Sequence, residues 1–213
     1  NWNVGNVTSM KGMFFRAENF NQPIGNWDVS SVSDMYNMFG LARNFNQSLS
    51  EWDVSNVTNM KLLFNGARAF NQPIGNWDVS NVTDMHGLFL RAEAFNQPLK
   101  NWDVSNVTIM SAMFMQAKSF NQPIDNWDVS NVTIMSTMFH LANNFNQPLG
   151  KWDVSNVTDM EYIFVTDKSF DQSLAKWNLK SLGTGEDDED WLSDNDDEIP
   201  EEPIFSFYNS GMS

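Results

Sequence analysis

Apolar and polar positions alternate along this chain in a pattern that repeats every 25 residues. Trp2, Trp27, Trp52, Trp77, Trp102, Trp127, Trp152 and Trp177 stand at that interval with no insertion between them. The same interval carries Val4 to Val154, Val7 to Val157, Met10 to Met160, Phe14 to Phe164 and Phe20 to Phe170. Ala17 to Ala142 form a further column, broken at Asp167, and Ile or Leu recurs from Ile24 to Leu174. Such self-similarity is the signature of a stacked repeat, in which each apolar column becomes a continuous ridge.

Within one copy the spacing predicts two short elements. Trp77 and Val79 alternate around Asp78, as in a strand with one buried face. Met85, Leu88, Phe89 and Ala92 fall at i, i+3, i+4 and i+7, one face of a helix of two turns. Thr83 is the expected N-cap and Asp84 the acid of the first turn. Only the last copy offers a capping box, Thr158 with Glu161. Phe95-Asn96-Gln97-Pro98 returns the chain to the next copy, since proline suits a turn and forbids a longer helix. Neither element can bury itself alone, so the reading is an α/β repeat solenoid of about eight coils, with parallel strands about 4.8 Å apart. Each large buried side chain contributes roughly 1.5–3 kcal/mol, enough for residues 1–182 to fold without disulfides.

The order Ile-x-x-Trp-x-Val-x-x-Val-x-x-Met-x-x-Met-Phe-x-x-Ala-x-x-Phe resembles a leucine-rich repeat. It is most similar to the BspA-like class, in the 25-residue FNQPIGNWDVSNVTDM version found in mycoplasma lipoproteins and bacterial surface proteins. The resemblance covers residues 1 to about 182. It implies a right-handed leucine-rich-repeat-like solenoid with a parallel sheet on one side and short helices on the other. It also implies an extracellular or cell-surface location, and adhesion or binding to a protein or glycan of a host or neighbouring cell. In ligand-binding leucine-rich repeats the outward strand position varies between copies. Here it is Asp28, Asp53, Asp78, Asp103, Asp128 and Asp153, the same residue six times.

Charge divides the chain. The net charge is −15, yet no Lys or Arg follows Lys180, and eleven acids lie between Glu186 and Glu202. The final copy decays at Trp177-Asn178-Leu179-Lys180-Ser181-Leu182-Gly183, which reads as the end of the array. Residues 183–213 then form an acidic C-terminal cap or tail. One reading makes it a linker or partly ordered cap, with Trp191 and Phe205 folding back; the other makes it a docking segment for a basic partner. The repeat region holds all 12 bases against 16 acids, so it has no excess of bases to neutralise phosphates, and nucleic acid is not expected as a partner. No run of 18 apolar residues exists to span a membrane. Asn1 falls in mid-turn without a signal-like segment, which reads as an excised fragment or processed form.

The Asp column is the first candidate site. Six carboxylates stacked at strand spacing repel one another, and no column of bases stands beside them. The local reading has each carboxylate accept bonds from its own Asp-Val-Ser-Asn turn. The alternative is a row of Ca²⁺ ions between adjacent carboxylates; no other cofactor is implied. Asp194-Asn195-Asp196-Asp197-Glu198 only distantly matches a Ca²⁺ loop, with Ile199 where glycine belongs. Asn6, Asn56, Asn81, Asn106, Asn131 and Asn156 open Asn-Val-Thr sequons, and Asn46-Gln47-Ser48 is another, but one Asn per coil equally makes a hydrogen-bonding ladder.

The Met column reads as core rather than a soft-metal site. His86 and His140 occupy different columns. No nucleophile–base set, phosphate loop or carboxylate pair emerges, so an enzyme is not expected. The positions that vary are those of Lys11, Tyr36, Lys61 and His86, and of Phe15, Leu90 and Met115, whose apolar members hint at a lateral contact surface. Three functions compete. The first is a surface scaffold that binds a macromolecule. The second is a spacer or self-assembling array without a dedicated ligand. The third is a flat face for ice or an ordered polysaccharide, which the Thr8-to-Thr158 column permits.

Overall fold

The computed structural model describes residues 2–165 and 169–182. Asp167 and the acidic segment 183–213, with Trp191, the Asp194–Glu198 run and Phe205, lie outside the described residues.

Each coil is built of consecutive tight turns. In the copy that starts at Trp77, amide-to-carbonyl bonds of the i to i−3 kind close at Trp77–Ile74, Val82–Val79, Leu88–Met85, Leu90–Gly87, Ala92–Phe89 and Phe95–Ala92, at 2.9–3.2 Å. The intervening amides reach another coil. Met85, Gly87, Phe89 and Arg91 donate to the carbonyls of Ile109, Ser111, Met113 and Met115 in the next coil, at 2.8–2.9 Å. Thr83 and Ala94 donate to Thr58 and Arg68 in the coil before. The backbone polar groups of a thin coil are thereby satisfied half within it and half across the seam, as burial requires.

This overturns the expected sheet backed by helices. The segment from Met85 to Ala92 is not helical, and Thr83 caps nothing. Gly87 (φ 59) and Arg91 (φ 56) sit at the third position of their turns with positive φ, the mark of type II turns and incompatible with a right-handed helix. An isolated two-turn helix is marginal in water, whereas alternating turns leave every second amide for the next coil. The expected strand at Trp77–Val79 is absent too. Parallel pairing occurs instead at one residue per coil, the series Ser9, Asp34, Asn59, Asp84, Ile109, Ile134 and Asp159. Among the described residues the one named helical element is a 3₁₀ turn, Lys180–Leu182.

The core is the one the columns foretell. Val, Met, Phe, Ala and Ile/Leu of the inner coils are almost wholly buried, and Trp52 to Trp152 nearly so. Two phenylalanine columns run through the stack as paired ladders. Phe64 and Phe70 stack at 4.0 Å within a coil, and Phe64–Phe89 and Phe70–Phe95 continue at 5.8 and 6.0 Å. Offset stacking of this kind adds to area burial. From Trp52 to Trp177 each indole N–H crosses a seam, as Trp77 Nε1 does to the Leu49 carbonyl at 3.0 Å and Trp102 Nε1 to that of Ile74 at 3.0 Å.

Candidate functional site

The Asp column lies on the exposed side of the Trp-Asp-Val stretch, between a buried Trp and a buried Val. Each carboxylate is engaged by its own coil. Oδ1 of Asp78 accepts the Ser80 amide at 3.0 Å and the Ser80 hydroxyl at 2.6 Å. Asp28, Asp53, Asp103 and Asp128 repeat this with Ser30, Ser55, Ser105 and Ser130, and Asp153 accepts the Ser155 amide. The Asx turn therefore exists in every one of these coils. It holds the carboxyls of Asp28, Asp53, Asp103 and Asp153 below the ordinary range, through the Ser hydroxyl first and its amide second. For Asp53 the neighbouring charge of Asp28 acts the other way and is the smallest cause. Exposure to water screens the repulsion that stacking six carboxylates suggests.

The remaining polar columns tie coil to coil. Nδ2 of Asn56, Asn81, Asn106, Asn131 and Asn156 donates at 2.7–2.8 Å to the Ser carbonyl of the preceding coil. These five sequon asparagines are exposed at the surface yet spent on this ladder. Asn46 Oδ1 accepts both the Asn71 amide and Gln72 Nε2, at 3.0 and 2.9 Å, and the Asn-Gln pair repeats the motif along the stack. Thr108 Oγ1 donates to the Thr83 carbonyl at 3.2 Å, with the same bond at Thr133 and Thr158. The threonines expected to cap helices form a ladder instead.

Among the described residues no three His, Cys, Asp or Glu side chains converge as a metal site. The Met column is core. His86 and His140 remain apart, as their columns require, but the stack makes one pair that spacing in a single coil does not reveal. His86 Nδ1 lies 2.7 Å from Ser111 Oγ, because both occupy the same position of successive coils. Burial lowers the pKa of His86, with Lys61 adding to it and Asp84 opposing. His140 is also lowered by burial, and its Nδ1 has no hydrogen-bond partner among the described residues. A shallow depression at the last coils is lined by Thr158, Asp159, Met160, Glu161 and Leu182.

The turn segments differ from the rest of the coil in varying between copies. Glu18 pairs with Arg43 at 3.6 Å, and Glu93 with Arg68 at 3.4 Å and Lys118 at 3.2 Å. Lys11 lies over the Tyr36 ring.

A tandem array of near-identical turn-built coils, with its polar groups laddered along the stack, defines a tandem-repeat class of protein. No helix among the described residues is long and apolar enough to cross a membrane. The chain matches the family described as "Mycoplasma protein of unknown function, DUF285" over residues 1–102 and again over 91–187, and it belongs to that family. No curated protein and no solved structure matches it.

Proposed function

We propose that this chain is a non-enzymatic repeat scaffold, BspA-like in character and exposed at the cell surface, that binds a protein or glycan. The carrying observation is the division of its exposed residues. The repeated Asp, Asn and Thr side chains hold the stack together, whereas the turn segments around Lys61, His86 and Lys118 change from coil to coil. A surface that varies from coil to coil is the one able to be tailored to a partner. The surface location rests on the resemblance to mycoplasma lipoproteins and on membership of a mycoplasma repeat family.

The test immobilises the whole chain and exposes it to a panel of purified extracellular-matrix proteins and glycans at physiological salt. Retention of one member, weakened by substitutions at Lys61, Arg68 and Lys118, supports the reading. Uniform absence of retention rejects it in favour of a second reading, a spacer or self-assembling array. That alternative draws its support from the many repeated side chains engaged in coil-to-coil bonds.

A further inference from the structure

Exposed charge in the stack is sorted by position around the coil. Residues 11–18 and their equivalents in the next four coils (36–43, 61–68, 86–93 and 111–118) carry seven bases against two acids. Every one of these five coils contributes: Lys11 and Arg16, then Arg43, then Lys61 and Arg68, then Arg91, then Lys118. In a chain whose net charge is −15, this stretch is net positive. Its cations reach solvent, with the side chains of Arg43, Arg68 and Lys118 47, 54 and 53% exposed. Glu18 pairs with Arg43 and Glu93 with Arg68 and Lys118, and with Asp34 and Asp84 two residues before their segments the balance is still seven bases against four acids. Nor does the stack need the bases, since the sixth coil places Ser136, Leu141 and Asn143 at the same positions. The Asp column is the converse, with six exposed carboxylates and only Lys100 and Lys151 as bases within three residues of it.

We propose that the basic turn segments of one copy pair side by side with the Asp column of a second copy. This rests on the array reading of the function. Both charge series advance with the stack, the carboxylates by one per coil and the bases by at least one per coil. A second copy of this chain is the partner certain to repeat carboxylates at that period. Each single contact is exposed and weak, but contacts repeated over five coils act together. The two surfaces differ, so the contact is heterologous and leaves an unused face of each kind at the margins of the assembly. Such contacts propagate into open arrays unless the geometry closes. Opposite charges at the surface attract over about 8 Å at 0.15 M ionic strength, so the association is lost as salt rises.

Sedimentation of the whole chain across a concentration series tests this. The parent is expected to associate at about 0.05 M salt and to be monomeric at about 0.5 M. One variant combines Lys61→Gln, Arg68→Gln, Arg91→Gln and Lys118→Gln. The other combines Asp53→Asn, Asp78→Asn, Asp103→Asn and Asp128→Asn, which keeps an acceptor for each Asx turn. Matching thermal melts establish that both fold. Each variant alone is expected to stay monomeric, and the mixture to form a 1:1 complex, because one keeps its carboxylates and the other its bases.

Failure of the mixture to pair overturns the proposal. So does association that survives in the Asp→Asn variant, association indifferent to salt, or a parent that stays monomeric at low salt. A monomeric parent that retains a matrix protein or glycan overturns the pairing and leaves the binding reading intact. Association without capture upholds the array and rejects the foreign partner.

Discussion

A positive φ strains any side chain, and most of all one branched at Cβ. Thr137 carries that strain at φ 55, in the turn position that Gly12 and Gly87 fill elsewhere in the array. Replacing Thr137 by Gly is expected to stabilise the fold by about 1 kcal/mol, relief of the αL cost outweighing the added freedom of the unfolded chain; denaturant unfolding monitored at the tryptophans measures it. The carboxylates bear a different prediction. Since the Ser hydroxyl and amide occupy Oδ1 in the Asx turns, EDTA is expected to leave the melting temperature unchanged. A fall of many degrees in chelator would restore the Ca²⁺ row. The Asx turns were legible because Asp and Ser stand two residues apart within one coil. The positive-φ positions were not, because Leu62, Arg91, Ala112, Gln116 and Leu141 occupy them as well as glycine, and none of those residues announces a left-handed backbone.

At the scale of the element, the seam between coils carries the bonds that matter. Trp102 is 3% exposed, and its indole N–H satisfies the buried Ile74 carbonyl. Trp102→Phe keeps much of the ring but removes one of the two hydrogen bonds to that carbonyl, which retains the Trp77 amide, and is expected to destabilise by about 0.5–1.5 kcal/mol. A loss of only a few tenths in denaturant unfolding would mean that ring packing alone matters there. The i, i+3, i+4, i+7 spacing identified the buried side chains correctly: Met85, Leu88, Phe89 and Ala92 are all in the core. It misassigned the element because a run of type II turns faces the same residues inward as a helix does. Periodicity reports which side chains share a face. It is blind to whether an amide bonds four residues back or one coil across.

The whole stack is expected to weaken in acid. His86 and His140 lie along the seams, and each has its pKa lowered from 6.5 by burial. Above that value both rings are neutral in the folded and unfolded chain, and their contribution to stability is complete. As the pH falls below it, the unfolded chain takes up protons first, so stability declines until the folded-state pKa values are passed. Melting temperatures at pH 7.5 and 5 should differ accordingly, and the double variant His86→Gln, His140→Gln should show a shallower fall; an equal fall would assign the acid sensitivity to other groups. The sequence by itself determined the 25-residue period, the buried columns, the Asx turns and the Asn ladder, because these follow from side-chain character at a strict interval. Tertiary structure alone decided the backbone path. A coil this thin cannot satisfy its own amides, and the carbonyls of its neighbours, 24 residues onward in sequence, determine which turns it adopts.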